Sequence, residues 1–335
     1  MRKKFDGVNW NRPVDDFTLM FWNQNTQQIW LDTEIPLGED KNTWSILTPA
    51  EQDVFKKVFG GLTFLDTQQG INGMTALSLH IKDHQREGVL MLMGWMECMH
   101  AKSYSSVFST ILTMKEIDEV FKWGEDNPFL QYKARKIVGY YDKLLFNRYA
   151  SDYDIYMAIV ASVFLESFLF YSGFYYPLYL GGQGKMTRAK EVIQLICRDE
   201  AIHGAFCGIL AQEFYKKLTS QQQAQATVEM YELLEDLMTN ELHYTQDIYT
   251  KIGLQEQVED FLKYNANRAL MNLGFESYYA KPKVSPVIIN GLSAETKTHD
   301  FFSQKGNSYF KVVDSSIVED KDFLFNGDEL DKLGV

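Results

Sequence analysis

Cysteine is scarce. The 335-residue chain has three, Cys98, Cys197 and Cys207, and none belongs to a Cys-x-x-Cys pair. That count argues against a disulfide framework. All three fall in apolar, helix-like stretches and read as small buried hydrophobes, so the chain offers no obvious dithiol. No secretory signal opens it: Met1-Arg2-Lys3-Lys4 is basic, but Asp6, Asn9 and Asn11 follow where an apolar run would stand. The most apolar stretch, Tyr156 to Tyr171, is short for a bilayer span, and Glu166 interrupts it. Positive charge is also short. The net charge is −12, which argues against nucleic acid as the main partner, because phosphate binding needs a basic face. No nucleotide-phosphate loop is evident, and no strand-like alternation of useful length precedes Lys281. A soluble, cytoplasmic protein is expected, with neither membrane nor nucleic acid as its partner.

What is present is apolar and helical. The chain is 45% hydrophobic, with 23 Phe, 19 Tyr and 6 Trp, enough for a large core. Thr48-Pro49-Ala50-Glu51 is a capping box, with Thr at the N-cap and Pro at the first helical position. Apolar residues recur at helical spacing from Val54 to Leu65, and this helix is expected to reach about Leu79. A second helix, from about Gln85 to Thr113, is apolar enough to be buried nearly all round. Further helices are expected over Asn127–Leu145, Tyr153–Tyr171, Thr187–Leu218, Ser220–Tyr249 and Gln255–Leu273, with a break at Gly181-Gly182-Gln183-Gly184. From Asp314 onward seven acidic residues face two lysines. The spacing therefore predicts one all-α domain over residues 1–290 and a flexible acidic tail over 291–335.

Two of the apolar helices carry Glu-x-x-His: Glu97-Cys98-Met99-His100 and Glu200-Ala201-Ile202-His203. Residues three apart share a helix face, so each pair can hold a metal from one side. A lone carboxylate precedes each motif in another apolar helix. Asp66 stands 31 residues before Glu97, and Glu166 stands 34 before Glu200. Similar separations suit two antiparallel hairpins that place their ligands at one depth. Buried carboxylates need neutralising, and lysine and arginine are nearly absent from these stretches. Four carboxylates and two imidazoles from four helices are the ligand set of di-iron or di-manganese carboxylate bundles. They suit iron or manganese better than a closed zinc site. A salt-bridged core with internally satisfied histidines is the alternative. His80, His84, His243 and His299 are not assigned to metal. Tyr104 lies four residues after His100, on the same helix face, so its phenol can approach the metals or simply fill the core. Asp199, beside Glu200, can orient a ligand histidine.

At these residues the chain resembles the ribonucleotide reductase small (β) subunit, most closely class Ib. The resembling stretches are Leu65-Asp66-Thr67-Gln68-Gln69-Gly70, Glu97-x-x-His100-Ala101-Lys102-Ser103-Tyr104-Ser105, Leu165-Glu166-Ser167-Phe168-Leu169-Phe170-Tyr171-Ser172-Gly173-Phe174 and Arg198-Asp199-Glu200-Ala201-Ile202-His203-Gly204. The resemblance runs from about Asn9 to Tyr309. It implies a ferritin-like bundle with two Mn or two Fe ions per chain. Asp66, Glu97 and His100 match the ligands of one ion, and Glu166, Glu200 and His203 those of the other, with Glu97 and Glu200 bridging. Tyr104 matches the radical tyrosine. Trp30 matches the tryptophan that links the site to the surface through Asp199 and His100, and Tyr309 matches the tail tyrosine that relays the radical. The implied partners are a second copy in a homodimer, a large catalytic (alpha) subunit and, with manganese, a flavodoxin-like activase. The resembling tail peptide Glu319-Asp320-Lys321-Asp322-Phe323-Leu324-Phe325 is followed here by a further stretch, Asn326 to Val335.

The expected activity is thus that of a radical-generating subunit serving ribonucleotide reduction in a larger partner. Two other classes fit the same cluster. A ferritin-like oxidase or hydroxylase would act on a small or lipid-like substrate, and an iron-storage bundle would form a closed cage.

Overall fold

The computed structural model describes residues 6–288, apart from Arg148 and Lys281. The expected acidic tail and Tyr309 lie outside the described residues. Within them the regular structure is helical, with no strand. The α-helices are α1 (Asp16–Gln28), α2 (Asp40–Trp44), α3 (Pro49–Gln68), α4 (Thr75–His80), α5 (His84–Ile111), α6 (Met114–Asp126), α7 (Pro128–Leu145), α8 (Asp152–Phe164), α9 (Tyr171–Gly182), α10 (Thr187–Lys217), α11 (Ser220–Tyr249) and α12 (Gln255–Asn272).

The capping box forms as expected: Glu51 N–H donates to Thr48 Oγ1 at 3.2 Å, and Thr48 N–H donates to Glu51 Oε2 at 2.7 Å. Five of the expected helices keep their bounds to within two residues. Others differ for physical reasons. The helix begun at Pro49 does not run unbroken to Leu79. It widens into a π-helical turn, Gln69–Met74, before α4. The stretch expected to end at Tyr171 passes through a second π-helical turn, Leu165–Leu169, and continues as α9 to Gly182 despite Pro177. α1 and α6 were not expected. α1 has a weak apolar face because it buries Thr18, Asn25 and Gln28 alongside Phe21. α6 begins on a capping box of its own, Thr113 and Glu116, whose Thr113 is also the expected end of the preceding helix. α10 starts from Met186 in the left-handed region (φ 49) without a side-chain cap. Its first amides, Arg188 N–H and Ala189 N–H, donate instead to the carboxylate of Asp40.

Four elements form the heart of the bundle: α3 packs on α5, and α8 packs on α10. The first pair is antiparallel, since Phe59 meets Tyr104 and Phe108 while Gly70 meets Gly94. The second pair is antiparallel too, since Tyr156 meets Tyr215 while Glu166 faces Gly204. α1 covers α5 and α10, with Phe21 edge-on to Phe206 at 5.1 Å. α7, α11 and α12 close the other side. The helical stretch Asp152–Gly182, 31 residues long, is apolar enough to cross a membrane, longer than its sequence suggested; its most apolar window is wholly buried by neighbouring helices. It is a core element that is apolar all round because it is covered all round.

Close approach of α5 to the π turn depends on glycine. A Cβ on Gly70 would lie 2.9 Å from Glu97 Cβ, and one on Gly94 would lie 3.0 Å from Met74 Cβ. By contrast Gly139, on the exposed side of α7, has nothing within 4 Å. Gly94→Val should therefore lower stability by about 1–3 kcal/mol through overpacking. Gly139→Ala should raise it by about 0.5–1 kcal/mol through helix propensity. Urea midpoints at unchanged slope measure both, and equal effects at the two sites would contradict the packing.

Candidate metal centre

Asp66 sits in the last turn of α3, Glu97 and His100 in the middle of α5, Glu166 in the π turn after α8, and Glu200 and His203 in the middle of α10. Each is fully buried. The structure brings all six together. Asp66, Glu97, His100 and Glu200 each offer one atom within 4.8 Å of the others, and so do Glu97, Glu166, Glu200 and His203. Glu97 and Glu200 belong to both groups. His100 Nδ1 lies 3.0 Å from Glu200 Oε1 and 3.4 Å from Asp66 Oδ1. His203 Nδ1 lies 2.8 Å from Glu97 Oε1 and 3.7 Å from Glu166 Oε2.

The residues fit a pair of metal ions. Asp66 Oδ2, Glu97 Oε2, His100 Nδ1, Glu166 Oε2 and both oxygens of Glu200 are buried and make no hydrogen bond. Four carboxylates cannot stay charged in an apolar interior without cations or protons. Burial, with Glu97 and Glu200 alongside, raises the Asp66 and Glu166 carboxyls well above the usual range. Burial alone would lower the two imidazoles, but the surrounding carboxylates outweigh it and raise both. Burial opposes ionisation of Glu200 as well, yet the close approach of Glu166, His100 and His203 holds it low. Glu200 thus stays charged while Asp66 and Glu166 retain protons.

Asp199 is buried and belongs to neither group of metal-binding residues. Its Oδ2 accepts from Trp30 Nε1 at 2.8 Å and lies 3.2 Å from His100 Nε2, while Oδ1 accepts from Gln28 Nε2 at 2.9 Å. The carboxylate thereby holds His100 with its proton on Nε2 and its Nδ1 free for an ion. Trp30 is buried and stacks on His100, with centroids 6.2 Å apart. Tyr104 is also buried. Its phenol lies 3.5 Å from Asp66 Oδ1, and its ring meets Phe59 edge-on. Burial, then Asp66, Glu200 and Glu97, raise its pKa well above the usual phenol value, so the hydroxyl keeps its proton.

The family model of the ribonucleotide reductase small chain matches residues 7–286. This chain belongs to the ribonucleotide reductase small-chain family. The ribonucleoside-diphosphate reductase subunit beta of Bacillus phage SPbeta is 50% identical over 326 residues, 97% of this chain and 98% of that protein. The Bacillus subtilis subunit of the same name is 48% identical, over 98% and 99% of the two chains. Among solved structures, the dimanganese(II) form of NrdF from Streptococcus sanguinis is 43% identical with a TM-score of 0.81, covering 87% of this chain and all of that one. The chain is accordingly the small subunit of a class Ib-like ribonucleoside-diphosphate reductase, an oxidoreductase built as a ferritin-like bundle around a dinuclear manganese or iron site.

Sequence reasoning missed several residues of the small subunit's centre. Gln69 donates to Glu166 Oε1 at 2.5 Å and to Ser162 Oγ at 2.8 Å, and Tyr141 donates to Gln69 Oε1 at 2.5 Å. Gln28 supports Asp199. Gln69 had a signal, since it lies one helical turn after Asp66. Tyr141 had none. The three histidines left unassigned within the described residues stay outside the cluster: His80 contacts Leu144 O, His84 pairs with Glu87, and His243 stacks on Phe129. One expectation is corrected. Cys197 and Cys207 are buried, but Cys98 is exposed, because the residue after inward-facing Glu97 turns about 100° around the helix.

Metal ions need these ligands deprotonated, so binding must expel the protons held by Asp66, Glu166, His100 and His203. In the metal-free subunit the raised Asp66 and Glu166 contribute stability that is lost as pH rises above about 4, and the raised His100 and His203 contribute stability that is lost as it rises above about 6.5, while Glu200, held low, works the other way. Manganese should therefore raise the melting temperature more at pH 8 than at pH 6. Scanning calorimetry of loaded and metal-free protein measures this, and a smaller shift at pH 8 would contradict the assignment.

Proposed function

We propose that Asp66, Glu97, His100, Glu166, Glu200 and His203 hold two manganese or two iron ions, that Tyr104 carries the radical, and that Asp199 and Trp30 begin its route to the large catalytic subunit. The observation that carries this reading is the stripe of Glu97, His100 and Tyr104 along α5, with the phenol against Asp66. Two ions held by these residues would supply a one-electron oxidant after reaction with dioxygen or a species derived from it. Tyr104 would be the group that yields the electron, with Asp66 Oδ1, 3.5 Å from its phenol, placed to take the proton. The buried phenylalanines Phe59 and Phe108 pack around this region and keep water from the radical. For export, Trp30, Asp199 and His100 form one continuous hydrogen-bonded path. Asp199 can trade protons with either neighbour as an electron passes, while Gln28 and Arg198 steady its other oxygen.

The partner uses the radical to convert ribonucleotides to deoxyribonucleotides. Within the proposal, Tyr309 relays the radical across the interface, and the acidic-aromatic peptide around Phe323 docks the tail of residues 291–335 on the large subunit. The small subunit works as a homodimer in the cytoplasm. Met91 and Trp95 on α5, with Ile71 in the adjoining π turn, are exposed apolar side chains that a second copy would cover. With manganese, a reduced flavodoxin-like activase would pass an electron to dioxygen, and the reduced oxygen species so formed would be the oxidant.

Tyr104→Phe removes only the hydroxyl. It should keep two metal ions per chain and lose both the tyrosyl electron paramagnetic resonance signal and turnover. A persisting signal would move the radical to another tyrosine.

Two tail variants separate relay from docking. Tyr309→Phe should retain the Tyr104 radical and binding to the large subunit yet lose turnover. Deletion after Val318 should retain the radical and lose binding as well. Near-normal turnover by Tyr309→Phe would eliminate the relay.

A further inference from the structure

We propose that Tyr141 and Gln69 form a brace that fixes which oxygen of Glu166 faces its metal ion. The inference rests on the metal-binding reading above. Glu166 is divided between two tasks. Its Oε1 accepts from Gln69 Nε2 at 2.5 Å, while Oε2 makes no hydrogen bond and lies 3.7 Å from His203 Nδ1, inside the cluster. One oxygen is committed to the brace and the other is left for an ion.

The direction of the Gln69 amide decides this division. Only its NH2 can face a carboxylate, so Nε2 points to Glu166 and also donates to Ser162 Oγ at 2.8 Å. Its Oε1 is then held by the phenol of Tyr141, which donates at 2.5 Å. A phenyl ring in place of the phenol would leave that buried carbonyl unpaired, and the amide could turn away from Glu166. Burial and the nearby Glu166 raise the Tyr141 phenol well above its usual value, so it remains a donor.

The surroundings are shaped for this contact. Gln69 opens the π-helical turn Gln69–Met74, and Tyr141 comes from α7, which carries none of the six cluster residues. Between them stands Gly73. A Cβ there would lie 2.6 Å from Gln69 Oε1 and 2.8 Å from the Tyr141 ring, so the bond forms only over a glycine. Tyr141 is fully buried. It is a positioning residue: it acts on the ion through Gln69 and Glu166.

Freed of the brace, the Glu166 carboxylate would no longer be held with Oε2 toward the cluster, and its hold on an ion would weaken. Hydrogen-bond partners of metal ligands are typically worth about 10–100-fold in affinity.

The test is a manganese(II) titration of the full-length subunit, followed by electron paramagnetic resonance of the loaded protein. Tyr141→Phe and Gln69→Leu should fold with helical content like the parent. They should bind the weaker of the two ions about 10-fold or more less tightly and show an altered dimanganese spectrum. Tyr156→Phe is the control: this tyrosine is also buried, and its hydroxyl has no partner, so both readouts should stay unchanged. Parent-like affinity and spectrum in Tyr141→Phe, or in Gln69→Leu if the tyrosine variant does not fold, would overturn the brace. Fewer than two ions bound by the parent protein would overturn the metal reading itself.

Discussion

Four carboxylates meet in the interior of this subunit, and their mutual repulsion is the constraint that organises the rest. Water cannot dissipate the charge there, and an ordinary ion pair with lysine would neutralise only one group at a time. The histidines sit between the carboxylates and take up part of the charge as partly protonated imidazoles, while Asp66 and Glu166 retain protons. Two divalent ions would balance the remaining negative charge. Tyr104 inherits its own properties from the same field. The negative potential beside it opposes loss of the phenol proton alone, so an oxidant acting on this residue would have to remove the electron and the proton together.

Holding such a cluster requires a rigid enclosure. The two antiparallel pairs, α3 with α5 and α8 with α10, supply it, and both carboxylates that stand outside the Glu-x-x-His motifs lie at or beside π-helical turns. A π turn adds a residue to the helical repeat and re-aims the side chains around it. The turn after Asp66 also brings Gly70 against Gly94, so backbone contact sets the distance between the first two ligand-bearing helices. The centre is thus spaced by glycine and aimed by π turns.

Much of this was legible in the sequence because its signals are local. The Glu-x-x-His spacing, the matched separations of Asp66 and Glu166, and the Thr48 capping box each speak within a few turns of helix. The long periodic helices α10 and α11 were legible for the same reason. What escaped was non-local or weakly periodic. α1 hid because it buries Asn25 and Gln28, and Gln28 is polar for the sake of Asp199, which lies 171 residues away. Tyr141 sits on a helix whose sequence carries no sign of the cluster. The π turns were illegible because their sequence continues the helical rhythm, and only packing against a neighbour reveals the extra residue.

The buried helix from Asp152 to Gly182 has a consequence for biosynthesis. It is as apolar as a membrane span, and its cover comes from both directions along the chain. α3 and α7 precede it; α10, α11 and α12 follow. On the ribosome this segment must emerge before the helices that will shield it are made. For the time taken to synthesise some ninety further residues, up to the end of α12 at Asn272, the nascent chain carries a surface that lipid, chaperones or a neighbouring nascent chain can bind. The same helix that makes the finished bundle impermeable to water is therefore the point at which its assembly is most exposed to error.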